Sequence, residues 1–281
     1  MNSCSSHEVR RCRPLLGTFV EITASGQAED DLSAAVNRAF AAVERIHRLM
    51  SPHDAGSEIS LLNRKAFRHA VTVSAETFTA LRRADRLAIE SGGAFDYTVA
   101  PTLARWGYRS GALRRREPHG YKFVVFLRGR QVRFLSPLAL DLGGIAKGFA
   151  VDAAIAVLRK SGATAALVNA GGDLRVFGPQ PSTVHLRHPA APQTFAHAIR
   201  LQHAALATSS PCFTEKQWRG RRVSHLVNSC EDSAVTGNIS VTVCARECWL
   251  ADALTKVVLN APRWAETLLR KYDAEAFMLT A

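Results

Sequence analysis

Residues 29–51, EDDLSAAVNRAFAAVERIHRLMS, return to an apolar side chain every three to four positions, which is the period of a long amphipathic helix. The stretch before it, GTFVEITAS (17–25), alternates apolar and polar as a strand does, so the chain opens strand then helix. VSAETFTALRRADRLAIESGG (73–93) predicts a second helix, with an N-cap near Ser74 and a glycine stop at Gly92 and Gly93. YKFVVFLRGRQVRFLS (121–136) predicts a β-hairpin around Gly129, GGIAKGFAVDAAIAVLRKSG (143–162) a helix, and AALVNAGGDLRVFG (165–178) a strand. NISVTVCA (238–245) predicts a strand, LADALTKVVL (250–259) a helix, APRWAETLLRKYD (261–273) a final helix and AEAFMLT (274–280) a terminal strand. The Pro/His-rich stretch 179–193 reads as a surface loop. Strands that come in hairpins and pairs, not in strict alternation with helices, favour an α+β fold over a doubly wound parallel sheet.

Composition narrows the class. At 281 residues and 47% hydrophobic, the chain can bury a real core. No apolar run approaches the roughly 20 residues of a membrane span, so a soluble protein is expected. A single domain over 15–281 is expected, preceded by an N-terminal extension of residues 1–14. That extension, MNSCSSHEVRRCRP, has no apolar h-region, which sets the expectation of a cytoplasmic protein. The cysteines at 4, 12, 212, 230, 244 and 248 are too irregular for a disulfide framework and read as reduced thiols. Cys244 and Cys248 have C-x-x-x-C spacing without a second pair or a nearby histidine, which argues against zinc.

A net charge of +12 suits a polyanionic partner, but the Arg and Lys residues are mostly dispersed and read first as a solvated basic surface. The basic clusters Arg114, Arg115, Arg116 and Arg219, Arg221, Arg222 are not interleaved with aromatics as a single-strand platform would be. A small phosphorylated ligand is favoured over nucleic acid.

Five stretches can carry chemistry. In LDLGGIAKGFAVDAA (140–154), Asp141 precedes two glycines, then Lys147 and another glycine, at the mouth of a helix. Free N–H groups there suit an anion, although an Asp N-cap with tight glycine packing explains the pattern equally well. A second glycine turn follows at NAGGDLRVFG (169–178), and two such turns in succession suggest backbone approaching a ligand. SGGAFDYTVAPTLARWGY (91–108) sets Phe95, Asp96 and Tyr97 after a glycine pair, where the rings can stack on a ligand or fill core. His225, in RRVSHLVNS, is the side chain suited to accept a proton near neutral pH, while Asp252 is a lone acid in an apolar helix.

Taken in order, LLGTFVEI, MSPHDAGSEISLLN, SGGAFDYTVAPTLARWGY, ALDLGGIAKGFAVD, ALVNAGGDLRVFG, LATSS, SHLVN and ADALTKVVL resemble the ApbE family of flavin transferases. These segments run from about Leu15 to Leu259. The resemblance implies a two-lobed α+β fold of mixed or antiparallel sheets flanked by helices, with FAD between the lobes. It implies transfer of the FMN moiety of FAD to a Thr or Ser hydroxyl of a target flavoprotein, with release of AMP. On the matching residues it implies that Met50, Ala94, Phe95, Asp96, Asp141, Lys147 and Ile239 line the FAD site. Gly144, through its carbonyl, and Asp252 would hold a magnesium ion, and His225 matches the family's proposed catalytic histidine. An FAD pyrophosphatase and a non-catalytic flavin-binding protein are the competing readings.

The chain departs from the family pattern in three places. The histidine motif H-x-x-D-P-x-T-G reads HLVNSCEDSAVTG (225–237), with Asn228 and Ser229 for Asp and Pro. T-S-G reads Thr208, Ser209, Ser210. The threonine that the family carries four residues after the aspartate, where its hydroxyl joins the metal shell, is Lys256 here. Thr255, three residues after Asp252, shares the same helix face and can complete a magnesium site; alternatively, the Lys256 ammonium stands in for part of the cation charge.

Overall fold

The computed structural model describes residues 7–109 and 120–280, so Cys4 and the cluster Arg114, Arg115, Arg116 lie outside the described residues. In chain order the elements are β1 (His7–Leu15), β2 (Thr18–Gly26), α1 (Glu29–Met50), α2 (Glu58–Lys65), β3 (Val71–Thr72), α3 (Ala75–Glu90) and α4 (Ala100–Arg105). Next come β4 (Val124–Leu127), β5 (Gln131–Phe134), α5 (Ala146–Lys160), β6 (Ala165–Ala170), β7 (Asp173–Phe177), β8 (Ser182–His188), β9 (Ala191–Leu201) and β10 (Ala205–Ser209). The last third holds β11 (Lys216–Trp218), β12 (Arg221–Val223), β13 (Val227–Asn228), β14 (Ser233–Ala234), β15 (Ile239–Ala245), α6 (Cys248–Asn260), α7 (Pro262–Lys271) and β16 (Glu275–Thr280).

One seven-stranded sheet, in the order β1-β2-β6-β7-β10-β15-β16, is antiparallel at every step, and smaller sheets surround it. The fold is α+β, as the pairing of the strands predicts. Alternation puts Val20, Ile22 and Ala24 of β2 on the inward face, where they join Val36 and Phe40 of α1 and Ile155 of α5 in the main core. Burying each of the larger side chains contributes about 1.5–3 kcal/mol. The opposite face of the sheet is covered near β7 and β10 by the β8–β9 hairpin, through Leu174, Val176 and Leu206 against Leu186 and Leu201.

Three sequence expectations change here. Residues 7–14, expected as an extension, belong to β1, which pairs with β2 along its whole length because Val9 reaches the core. The expected strand 165–178 is two strands, turned by Gly171 and Gly172 at φ +66° and +104°, a left-handed region that only glycine occupies without strain. The expected loop 179–193 is mostly the β8–β9 hairpin. Its histidines and prolines obscure an alternation in which Leu186 is buried and Val184 packs beside it.

The remaining elements follow the patterning. Ser74 caps α3 by accepting from Thr77 N at 3.2 Å, and Ser57 caps α2 by accepting from Ser60 N at 3.1 Å. Glu58 accepts from Ser74 N at 2.9 Å, so the starts of α2 and α3 are tied together. No helix among the described residues is long and apolar enough to cross a membrane.

Candidate active site

Both glycine turns open into one cavity of about 970 Å³, at the upper end of the roughly 300–1,000 Å³ common for small-molecule sites. Its position follows from a few long-range clamps. Asn63 of α2 holds the loop before α5 from both sides, donating Nδ2 to Leu140 O at 3.0 Å and accepting from Leu140 N at 2.7 Å. The neighbouring Asp141 N donates to Tyr97 O at 2.8 Å, and Tyr97 Oη donates to buried Asp85 of α3 at 2.9 Å. Burial, followed by the Asp85 carboxylate, raises the Tyr97 pKa well above the usual phenol value, so this bond keeps its proton. The segment 94–98 is thereby held beside the 140–144 turn. Within it Phe95 N donates to Ser91 Oγ at 3.0 Å, and Asp96 accepts from Thr98 N at 2.8 Å.

Asp141 does not cap α5, whose N-cap residue is Ile145. It accepts from Gly143 N at 2.6 Å and pairs with Arg109, whose Nε donates at 2.6 Å. Lys147, in the first turn of α5, is paired with Asp173 at the start of β7, which joins the two glycine turns by an ion pair. Gly171 packs against Thr18 so closely that a Cβ would lie 2.5 Å from its Oγ1.

The third side of the site is α6. Asp252 is fully buried; one carboxylate oxygen accepts from Gly148 N at 3.2 Å and the other is bound by the Lys256 ammonium, which also donates to Asp252 O at 2.9 Å. Burial alone would raise the Asp252 pKa, but the Lys147 and Lys256 charges and these hydrogen bonds outweigh it and hold the group ionised, below the usual carboxylate range. Thr255, also fully buried, donates to Asp252 O at 2.6 Å, so the 2.7 Å bond it shares with Ser209 is donated by Ser209.

His225 stands on the cavity wall. Thr214 Oγ1 lies 2.5 Å from His225 Nδ1 and donates its own proton to Pro211 O at 3.2 Å. Its remaining lone pairs therefore face Nδ1–H, which leaves the lone pair of the neutral ring on Nε2. The surrounding protein and then the positive charges of Lys256 and Lys147 pull the His225 pKa down to about 4, with Asp141 opposing them. The imidazole is solvent-exposed at the cavity and neutral at physiological pH.

Of the residues that the resemblance implies, Ala94, Phe95, Asp96, Asp141, Gly144 and Lys147 line this cavity together with His225. Four others do not: Met50, Ile239, Asp252 and Thr255. Met50 is 2% exposed and belongs to the core, and Ile239 contributes its carbonyl, which accepts from Ser210 Oγ at 2.8 Å. Arg109, Asp173 and Thr214 were not anticipated. Nothing in their local sequence marks them, because their partners lie 32, 26 and 11 residues away.

Residues 16–278 match the ApbE family. The chain belongs to that family. Among ApbE relatives, the FAD:protein FMN transferase of Vibrio cholerae is 27% identical over 75% of this chain and 69% of its own length. That of Klebsiella pneumoniae is 25% identical over 88% and 82%. The ApbE protein of Thermotoga maritima superposes with a TM-score of 0.83 at 27% identity, covering 98% of this chain and 94% of that one. The flavinyl transferase ApbE of Pseudomonas stutzeri gives 0.81 at 20% identity over 100% and 93%, a likeness of fold.

The magnesium ion that ApbE resemblance implies can be tested against the donors present. A hard divalent cation needs several oxygen ligands with lone pairs to spare. Asp252 has one oxygen on a backbone N–H and the other on an ammonium, and the Thr255 hydroxyl is engaged by Ser209 and Asp252 O. Among the described residues no three His, Cys, Asp or Glu side chains gather to hold a metal. The expected set of Gly144, Asp252 and Thr255 does not fit magnesium in this arrangement, because a lysine holds its carboxylate.

Proposed function

We propose that this protein transfers the FMN moiety of FAD to a Ser or Thr hydroxyl of a target flavoprotein and releases AMP. The observation that carries the reading is a neutral histidine, His225, set on the wall of a large cavity that also presents two ammonium groups, Lys147 and Lys256, in an ApbE-family fold. That combination suits an extended ligand with a doubly charged pyrophosphate in its middle.

In this reading the acceptor hydroxyl gives its proton to His225 Nε2 as its oxygen attacks the FMN phosphorus. The phosphorus–oxygen bond to the AMP phosphate breaks, and its electron pair leaves with AMP. His225 then loses the proton to solvent, readily, because its imidazolium is disfavoured by the nearby cations. Lys147 and Lys256 offset the charge that builds on the phosphate oxygens, and the paired Arg109–Asp141 holds the loop beside them. Phe95 supplies an apolar surface next to Gly144 for the ligand.

The deciding experiment incubates the protein with FAD and candidate flavoproteins. A protein band that keeps flavin fluorescence after denaturation, with the mass of an added FMN, supports transfer. Release of free FMN and AMP with no adduct on any acceptor would instead establish an FAD pyrophosphatase. FAD binding without turnover would make the protein a flavin carrier.

Thr214 is a positioning residue in this scheme. Thr214→Val should lower kcat about tenfold while KM for FAD stays within about twofold, since it removes only the group that sets the histidine tautomer. Thr214→Ser should restore the rate. Equal loss in both variants would remove the hydroxyl from the account.

A further inference from the structure

The carboxylate of Asp252 is hidden and the ammonium of Lys256 is what the cavity meets. Asp252 is 0% exposed and does not contribute to the cavity surface, whereas Lys256 does. Ser209 likewise stands on the cavity wall, with Thr255 behind it. The Lys256 stem runs past the glycine turn: a Cβ on Gly144 would lie 3.5 Å from Lys256 Cε and 3.3 Å from Phe95 Cε2. The ammonium is therefore held from one side by the carboxylate and carbonyl of Asp252 and flanked by the turn that carries Phe95's neighbour Gly144. Among the described residues its third proton remains for a ligand, because an ammonium has three donors and Asp252 takes two.

We infer that Lys256 is a built-in cation that replaces a divalent metal at the pyrophosphate of FAD, so that this chain binds and cleaves FAD without magnesium. The inference rests on the flavin-transferase reading and specifies its cofactor demand. The carboxylate that a metal ion would need is already taken, because the Lys256 ammonium sits directly on it. A metal ion bound to Asp252 beside Lys256 would bring two further positive charges within a few ångströms of an ammonium, a repulsion that low-dielectric surroundings magnify. The covalent step is unchanged: the acceptor oxygen–phosphorus bond forms, the phosphorus–oxygen bond to AMP breaks, and the acceptor proton goes to His225. What differs is that a compact point charge on a flexible stem, not an octahedral ion, meets the phosphate oxygens.

The test measures binding separately from turnover. Mn²⁺ serves as the probe, titrated by paramagnetic resonance into the protein with and without FAD, and FAD affinity is read by flavin fluorescence in Mg²⁺ and in EDTA. Wild type should bind no stoichiometric Mn²⁺ and should hold FAD equally well, within about twofold, in both buffers. Lys256→Thr, which restores a hydroxyl at that position, should gain one Mn²⁺ per chain and bind FAD about tenfold or more weakly in EDTA than in Mg²⁺. Lys256→Met keeps the length of the stem and guards against a folding defect; it should lose about tenfold in FAD affinity in either buffer. One tightly bound Mn²⁺ per wild-type chain in the FAD complex, or FAD binding by wild type that collapses in EDTA, would overturn the inference while leaving the transferase reading intact. Absence of FAD binding under every condition would overturn both.

Discussion

His225→Ala is expected to lower the rate of FMN transfer by about 10²- to 10⁴-fold, the usual contribution of a positioned general base, while FAD still binds. The imidazole lies on the cavity wall and bonds to Thr214, so truncating it removes a proton acceptor without opening the core. The pH profile sharpens the expectation. In the free protein the His225 pKa stands near 4, so kcat/KM, which reports the free enzyme, should be flat from about pH 5 upward and fall only below about pH 4. Bound pyrophosphate brings negative charge toward the cations that depress this group, so the acid limb of kcat should lie at higher pH than that of kcat/KM. The same shift has a sign for stability. Between pH 6.5 and about 4 the unfolded chain binds a proton at this site that the native state does not, so stability contributed by this group falls as the solution is acidified through that window. A rate unaffected by His225→Ala, or a kcat/KM limb at an ordinary histidine value, would remove His225 as the base.

Gly148→Ala should cost about 3 kcal/mol, a drop in Tm of about 6–12 °C. The reason is a backbone crossing. A Cβ on Gly148 would lie 2.3 Å from Cys248 O and 2.7 Å from Trp249 N, so the start of α5 and the start of α6 are packed main chain against main chain. No flexible side chain can yield there. Pushing the helices apart also lengthens the 3.2 Å bond from Gly148 N to Asp252, and with it shifts Lys256 relative to Lys147. FAD affinity should therefore fall along with Tm in the same variant. An unchanged thermal transition would mean that the crossing is looser than described.

Much of the architecture was legible because its elements bury one regular face. α1 announces itself by Leu32, Val36, Phe40, Val43 and Ile46, all in the core, and α3 by its cap at Ser74 and its glycine stop. The β6–β7 pair read as one strand because the turn between them is two glycines inside an apolar run, and periodicity does not register a reversal that short. Cavity-lining residues were legible where family motifs are local, as in Ala94, Phe95 and Asp96, or Asp141 and Gly144. Met50 ends α1, but the face it occupies turns inward. The pairings that shape the charge of the site, Arg109 with Asp141 and Lys147 with Asp173, join distant segments and leave no local mark. Lys256 was visible as a departure, yet only its place on the carboxylate shows which partner it has.

Asp152 of α5 carries a consequence for how the molecule comes to be folded. Its carboxylate accepts from Cys248 N at 3.0 Å, from Trp249 N at 2.9 Å and from Arg175 Nη1 at 2.6 Å, so it caps α6 across 96 and 97 residues of chain. Closing loops of that length is entropically slow, and contacts of such separation form late relative to hairpins and single helices. The helix that bears Asp252 and Lys256 has no side-chain cap from its own N-cap residue, and its first N–H groups are satisfied from α5 instead. A chain that ends before α6 therefore lacks the part of the cavity wall that carries Lys256 and Asn260.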